Sequence, residues 1–225
     1  VTQGKVEGLS LSSLLLDGTG DYVALASSIE LTTYDWSISC WFRADEFSSN
    51  TLLGHSNGEH LIQFVNSTTL RTNINNRGNE DITVSGLSTD KWHHLTYTRD
   101  DSTGVSNIYI DGVYNATGTF DSGYDFVINR IGIDGNDEFD GDIRDVRIYD
   151  NLLLSADQVA SLYSGSYNVT PTHWYKMDEG TGATANDTGT ATTRNGTLNG
   201  NASLGGSNGT LDLDSTLTIA TNGTL

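Results

Sequence analysis

The chain has 225 residues, of which 36% are hydrophobic, 25 are glycine and one is proline. That is enough for one domain with an appendage, and for a core that closes without metal or disulfide. A formal net charge of −18 repels phosphate backbones and anionic lipid, so nucleic acid is excluded as a partner, and no run approaches the ~18 apolar residues of a membrane insertion.

The same charge favours divalent cations, or simply keeps an extracellular protein soluble. Cys40 is the only cysteine, so no intrachain disulfide forms, and its place in an apolar alternation makes it a small core residue. The chain opens at Val1 with no signal-peptide pattern, as expected of a processed chain or a piece of a longer one.

Strand signals dominate from the start. Ser37–Arg43 alternates, with Ile38, Cys40 and Phe42 on one face and Trp41 on the other. A tryptophan there either packs under a covering segment or lines a concave binding face. His60–Val65 and Thr69–Ile74 follow, parted by a turn at Asn66-Ser67-Thr68. Trp92–Thr98 is a further strand, and its adjacent His93 and His94 point to opposite faces, so they cannot chelate one metal.

Asn107–Ile110 runs into Asp111-Gly112, the dipeptide of a type I′ hairpin, and Val113-Tyr114 returns. Phe126–Ile128, Arg130–Ile133 and Ile143–Tyr149 complete the strands. Strands at this spacing, with turn chemistry between them, predict an all-β fold of two antiparallel sheets. One short helix is expected after Ser155, its N-cap, with Gln158 closing a capping box, Val159 and Leu162 apolar, and Gly165 as the stop.

The texture changes beyond residue 166. Pro171 precedes Trp174–Gly180, and the string Asn-Gly-Thr-Leu recurs at Asn195, Asn208 and Asn222. These residues read as added strands or as low-complexity linker.

Six strings together resemble a known family. Leu16-Asp17-Gly18-Thr19-Gly20-Asp21-Tyr22-Val23 is similar to the opening signature of laminin-G-like jelly-roll domains, within the concanavalin A-like lectin/glucanase superfamily. Trp36–Phe42, Lys91–Leu95, Ile108–Gly112, Phe139–Tyr149 and Leu154–Val159 follow in that family's order, so the resemblance spans roughly residues 9–165. It implies a two-sheet antiparallel jelly-roll β-sandwich, with a concave face and rim loops that often hold calcium and ligand. On this reading residues 1–165 form the domain and 166–225 a C-terminal extension. Trp174–Gly182 with Asp187 resembles the first strand of another such domain, which either pairs back onto this sandwich or begins a tandem neighbour.

Calcium is the cofactor this composition favours. Asp134, Asn136, Asp140 and Asp142, with Asp17 or Asp21 from the opening loop, offer hard oxygen ligands near turn glycines; the alternative is a solvated acidic turn. For a sugar, Trp41 and Tyr109 supply aromatic platforms, and Asn73, Asn75, Asn76 and Arg77 supply polar contacts. Glycoside hydrolysis would need two carboxyls about 5–5.5 Å apart or more, and Glu138, Asp140 and Asp142 alternate as a strand would require. Gly141 and the jelly-roll signature break that pattern. The expectation is therefore a non-catalytic module that binds a glycan or surface receptor. It would sit beside neighbouring domains of a longer chain, at an extracellular, cell or virion surface. A spacer domain without small ligand is the alternative.

Overall fold

A computed structural model describes residues 12–31, 34–73, 79–120, 125–166 and 169–206. In chain order the strands are β1 (Ser12–Asp17), β2 (Tyr22–Leu31), β3 (Trp36–Ala44), β4 (Asn50–Gly54), β5 (His60–Asn66), β6 (Thr69–Asn73), β7 (Asn79–Thr83) and β8 (Trp92–Arg99). Then come β9 (Val105–Ile110), β10 (Val113–Thr119), β11 (Phe126–Ile131), β12 (Asp140–Asp150), helix α1 (Ala156–Tyr163), β13 (His173–Tyr175), β14 (Thr184–Ala185), β15 (Gly196–Asn199) and β16 (Ser203–Gly206).

Two antiparallel sheets result. The first runs β10-β9-β8-β3-β12-β1-β16, with β13 also on β12; the second runs β14-β15-β2-β11-β4-β5-β6-β7. The chain is thus an antiparallel two-sheet β-sandwich of jelly-roll type with one short helix. Segments from beyond residue 166 enter both sheets: β16 pairs with β1, β13 with β12, and β15 with β2.

Alternation in the strands builds the core. Ile38, Cys40 and Phe42 of β3 point inward against Leu95 and Tyr97 of β8, and Phe64 and Ile128 answer from the opposite sheet. Phe42 packs at 5.0 Å from Phe64 and edge-on to Phe139 at 6.3 Å, the tilted geometries that aromatic quadrupoles favour. Burial pushes the Cys40 thiol up to about 12, with Asp145 adding repulsion, so this cysteine is a packing residue. Arg99, fully buried, closes one end of the core over the rings of Phe120 and Phe126.

Two local expectations hold in detail. Asp111 and Gly112 both take positive φ at the β9–β10 turn, and a Cβ on Gly112 would lie 2.8 Å from Tyr163. Ser155 and Gln158 exchange the capping-box hydrogen bonds, and Gly165 stands at φ 78° just past the helix.

Candidate functional site

The outer face of the first sheet positions the site. Trp41 lies between His94 of β8 and Arg144 of β12 in the cross-strand register. Helix α1 covers the adjoining surface, because Val159 and Leu162 need an apolar floor, and Tyr109, Tyr149 and Leu154 provide one. At the helix end Tyr163 stacks on Trp41, with ring centroids 5.5 Å apart at 23°. Trp41 is therefore half covered by the helix and half open.

Beside it β12 is served by two short strands in tandem. β1 pairs with Asp140–Ile143 and β13 with Val146–Ile148. Between them β12 bulges at Arg144–Arg147, and Asp145 takes φ 54°. A bulge of this kind re-aims side chains, and a non-glycine residue at positive φ marks stored strain. Here Asp145 accepts hydrogen bonds from Trp174 Nε1 at 2.6 Å and Arg147 Nε at 2.8 Å, while its amide donates to the Lys176 carbonyl. Met177, the residue after Lys176, also has positive φ, 60°, and is buried.

The junction leaves a groove of about 540 Å³, lined by Trp41, Arg144, Asp145, Trp174, Lys176 and Asp178 among others. Its aromatics carry cations. Arg144 lies 5.3 Å from the Trp41 ring and 4.4 Å from Trp92, while Arg147 and Lys176 lie 4.6 and 4.5 Å from Trp174. Beneath the groove His94 is packed against Trp41 and Tyr163 and is 2% exposed. Burial, then the neighbouring Arg147 charge, lowers its pKa to about 4, so the imidazole is neutral at ordinary pH.

The residues singled out for sugar contact are dispersed. Trp41 lines the groove. Tyr109 shares the same sheet face but is 8% exposed under α1, edge-on to Tyr114, so its ring packs the helix and does not present a platform. Asn73 belongs to the other sheet, where its amide donates to Asn79 Oδ1 across β6–β7. Asn75, Asn76 and Arg77 lie outside the described residues, as do the repeat strings at Asn208 and Asn222.

The candidate calcium ligands fall into three places. Asp17 and Asp21 belong to the opening turn, where Asp21 accepts from the Asp17 amide and Asp17 from the Thr19 amide; Asp140 lies against Gly18. Burial, then the charges of Asp45, Glu46 and Asp17, raises the Asp140 pKa. Asp134 caps its own turn by accepting from the amides of Asn136 and Asp137, and also accepts from Thr51 Oγ1. Asp142 is 1% exposed and tied to Arg43 and Ser13. Among the described residues no group of three His, Cys, Asp or Glu side chains is placed to hold a metal ion.

Trp174, Asp145 and Lys176 were not among the sequence candidates. Trp174 was visible only as part of a strand-like string, and what makes it functional is a long-range pairing.

The profile of a family described as the concanavalin A-like lectin/glucanases superfamily matches residues 17–160. Among solved structures, the chain resembles a Bacteroides ovatus protein described as carbohydrate binding, with TM-score 0.65 and 18% identity over 87% of this chain and 60% of that one. The chain thus spans about three fifths of that protein's length. It also resembles a heptameric SAP-like pentraxin from Limulus polyphemus, with TM-score 0.57 and 14% identity over 72% of this chain and 85% of that one. Domain 4 of AbnA, an extracellular GH43 arabinanase of Geobacillus stearothermophilus solved with arabinotriose, gives TM-score 0.52 and 23% identity, covering 72% and 82%. No curated protein sequence matches the chain.

Proposed function

The chain belongs to the concanavalin A-like lectin/glucanase superfamily, and from that premise we propose that it is a non-catalytic carbohydrate-binding module of a larger extracellular or surface protein. The groove at Trp41 and Trp174 carries this reading. Sugars bind through the apolar face of a pyranose ring laid on an aromatic side chain, with charged and amide groups receiving the hydroxyls. Trp41, Trp174, Arg144, Asp145 and Asp178 bring both kinds of group to one opening. The fold's likeness to proteins named as carbohydrate binding, or solved with arabinotriose, supports the same reading.

Binding without turnover fits the carboxylates. Asp142 is buried in its ion pair with Arg43, and Asp145 is held by Trp174 and Arg147. Each of these two carboxylates is thus tied to cations or donors of its own sheet. A spacer domain would fill this face with side chains, whereas here α1 stops short and the groove stays open. No helix of the described residues is long and apolar enough to cross a membrane.

The test is a glycan array followed by titration calorimetry on the best ligand. Trp174→Ala is expected to weaken binding by about tenfold or more, as loss of a central aromatic anchor does. Tyr22→Ala, beneath Arg130 on the opposite sheet, is expected to leave it unchanged. The reverse result would move the site to the other sheet, and silence across the array would favour the spacer.

A further inference from the structure

Resting on the carbohydrate-binding reading, we infer that Lys176 makes the Trp174 subsite selective for a sugar that bears a carboxylate. The chain holds 11 Lys and Arg against 29 Asp and Glu, yet Arg144, Arg147 and Lys176 all meet aromatic faces at this one groove.

Their situations differ. Arg147 is 1% exposed and bonded to Asp145, so its guanidinium is held in place beside the Trp174 ring. Arg144 is clasped between Trp41 and Trp92. Lys176 is half-buried, lines the groove, and sets its ammonium 4.5 Å from the Trp174 ring centroid. Its backbone is pinned, because its carbonyl accepts the Asp145 amide, but its side chain is a flexible stem. Among the described residues no carboxylate forms an ion pair with it.

The ammonium thus lies over the indole that a pyranose would stack on. A neutral sugar must displace it, forfeits the cation–π attraction and offers the ammonium only hydroxyl acceptors in return. A sugar with a carboxylate displaces it too, but then receives it as a charge-assisted hydrogen-bond donor. One side chain therefore penalises neutral ligands and rewards acidic ones. The protein's overall negative field limits the effect to short range, so the groove selects single acidic residues and not polyanions as such.

The experiment pairs sialyllactose with lactose, and methyl galacturonoside with methyl galactoside. Affinities come from calorimetry, and the Trp174 indole N–H signal in NMR, assigned with Trp174→Phe, reports the location. Each acid is expected to bind about tenfold more tightly than its neutral partner. Lys176→Gln should bring that ratio near one by weakening the acid and tightening the neutral sugar, opposite shifts that no general loss of structure produces. Lys176→Arg should keep the preference. Equal affinities in the wild-type chain, or equal weakening of both classes by Lys176→Gln, would overturn the role of Lys176 while a shifted Trp174 signal upheld carbohydrate binding. If no sugar of either class moves that signal, both readings fall.

Discussion

Asp187 fastens the segment that delivers Trp174, and its removal tests whether that segment is integral to the sandwich. Its Oδ1 accepts the amides of Trp174 and Gly189 at 3.0 and 3.1 Å. Its Oδ2 accepts from His173 Nδ1 at 2.7 Å and from the Arg194 amide at 3.0 Å. The residue is 7% exposed, so Asp187→Ala would leave these donors with little water to turn to. At about 1 kcal/mol net for each of the four hydrogen bonds, the loss is about 4 kcal/mol. For a chain of this size that corresponds to about 8–16 °C in melting temperature. Asp187→Asn retains an acceptor oxygen for Trp174 and Gly189 and should lose about half as much. Burial alone would raise the Asp187 pKa, but the hydrogen bonds from His173 and the three amides outweigh it and hold it below the ordinary aspartate value of 3.8. The carboxylate's contribution is therefore complete above that value and lost as pH falls through the lower folded-state pKa. Differential scanning calorimetry at pH 7 and across the acid range reads both effects. An Asp187→Ala protein melting within about 2 °C of wild type would refute the reasoning, because the segment would then be merely laid on the sandwich.

Gly141 has φ 133°, and a Cβ there would sit 2.0 Å from the Arg43 carbonyl oxygen. Gly141→Ala is expected to cost about 3 kcal/mol or more in urea unfolding. Gly205→Ala, whose nearest neighbour would be Leu15 at 3.8 Å, should stay within about 0.5 kcal/mol. For His94, the folded pKa of about 4 lies below the ordinary 6.5, so between these values the unfolded chain takes a proton that the folded chain refuses. Stability should fall by about 3 kcal/mol as pH drops through that window and level off below it. His94→Leu should flatten the profile there. Calcium added to chelator-stripped protein should leave the melting temperature unchanged, whereas a rise that Asp140→Asn abolished would place an ion at the Asp17–Asp140 rim.

Much of the frame could be read in advance because it is local. The β3 alternation, the Asp111-Gly112 hairpin and the Ser155–Gln158 cap each depend on a few neighbouring residues, and the structure has all three. Trp41 presented two readings; its ring lies partly under Tyr163, as the packing reading has it, and also lines the groove. β4 was hidden because Asn50–Gly54 is covered on both faces and does not alternate; a loop folded back through Asp134 buries its Thr51. The partners of the acidic residues were hidden for a related reason. Asp134 bonds to the amides of Asn136 and Asp137 and Asp142 to Arg43, and the second of these pairings is one that sequence proximity does not show. The groove was beyond reach. It needs the Asp145 bulge and the pairing of β13 with β12, a contact that joins segments about 27 residues apart.

The tandem arrangement of β1 and β13 along β12 also sets a clock on biosynthesis. β12 ends at Asp150, whereas β16, which covers β1, ends at Gly206, about 56 residues later. At the ribosome's pace of about 5–20 residues per second, β1 and β2 wait several seconds with bare edges, and half of β12 waits with them. Unpaired edges of this kind template association with other chains. A nascent chain stalled near residue 165 would hold every residue matched to its family and still leave these edges unpaired. The sandwich is thus sealed only once the strands beyond residue 166 have emerged.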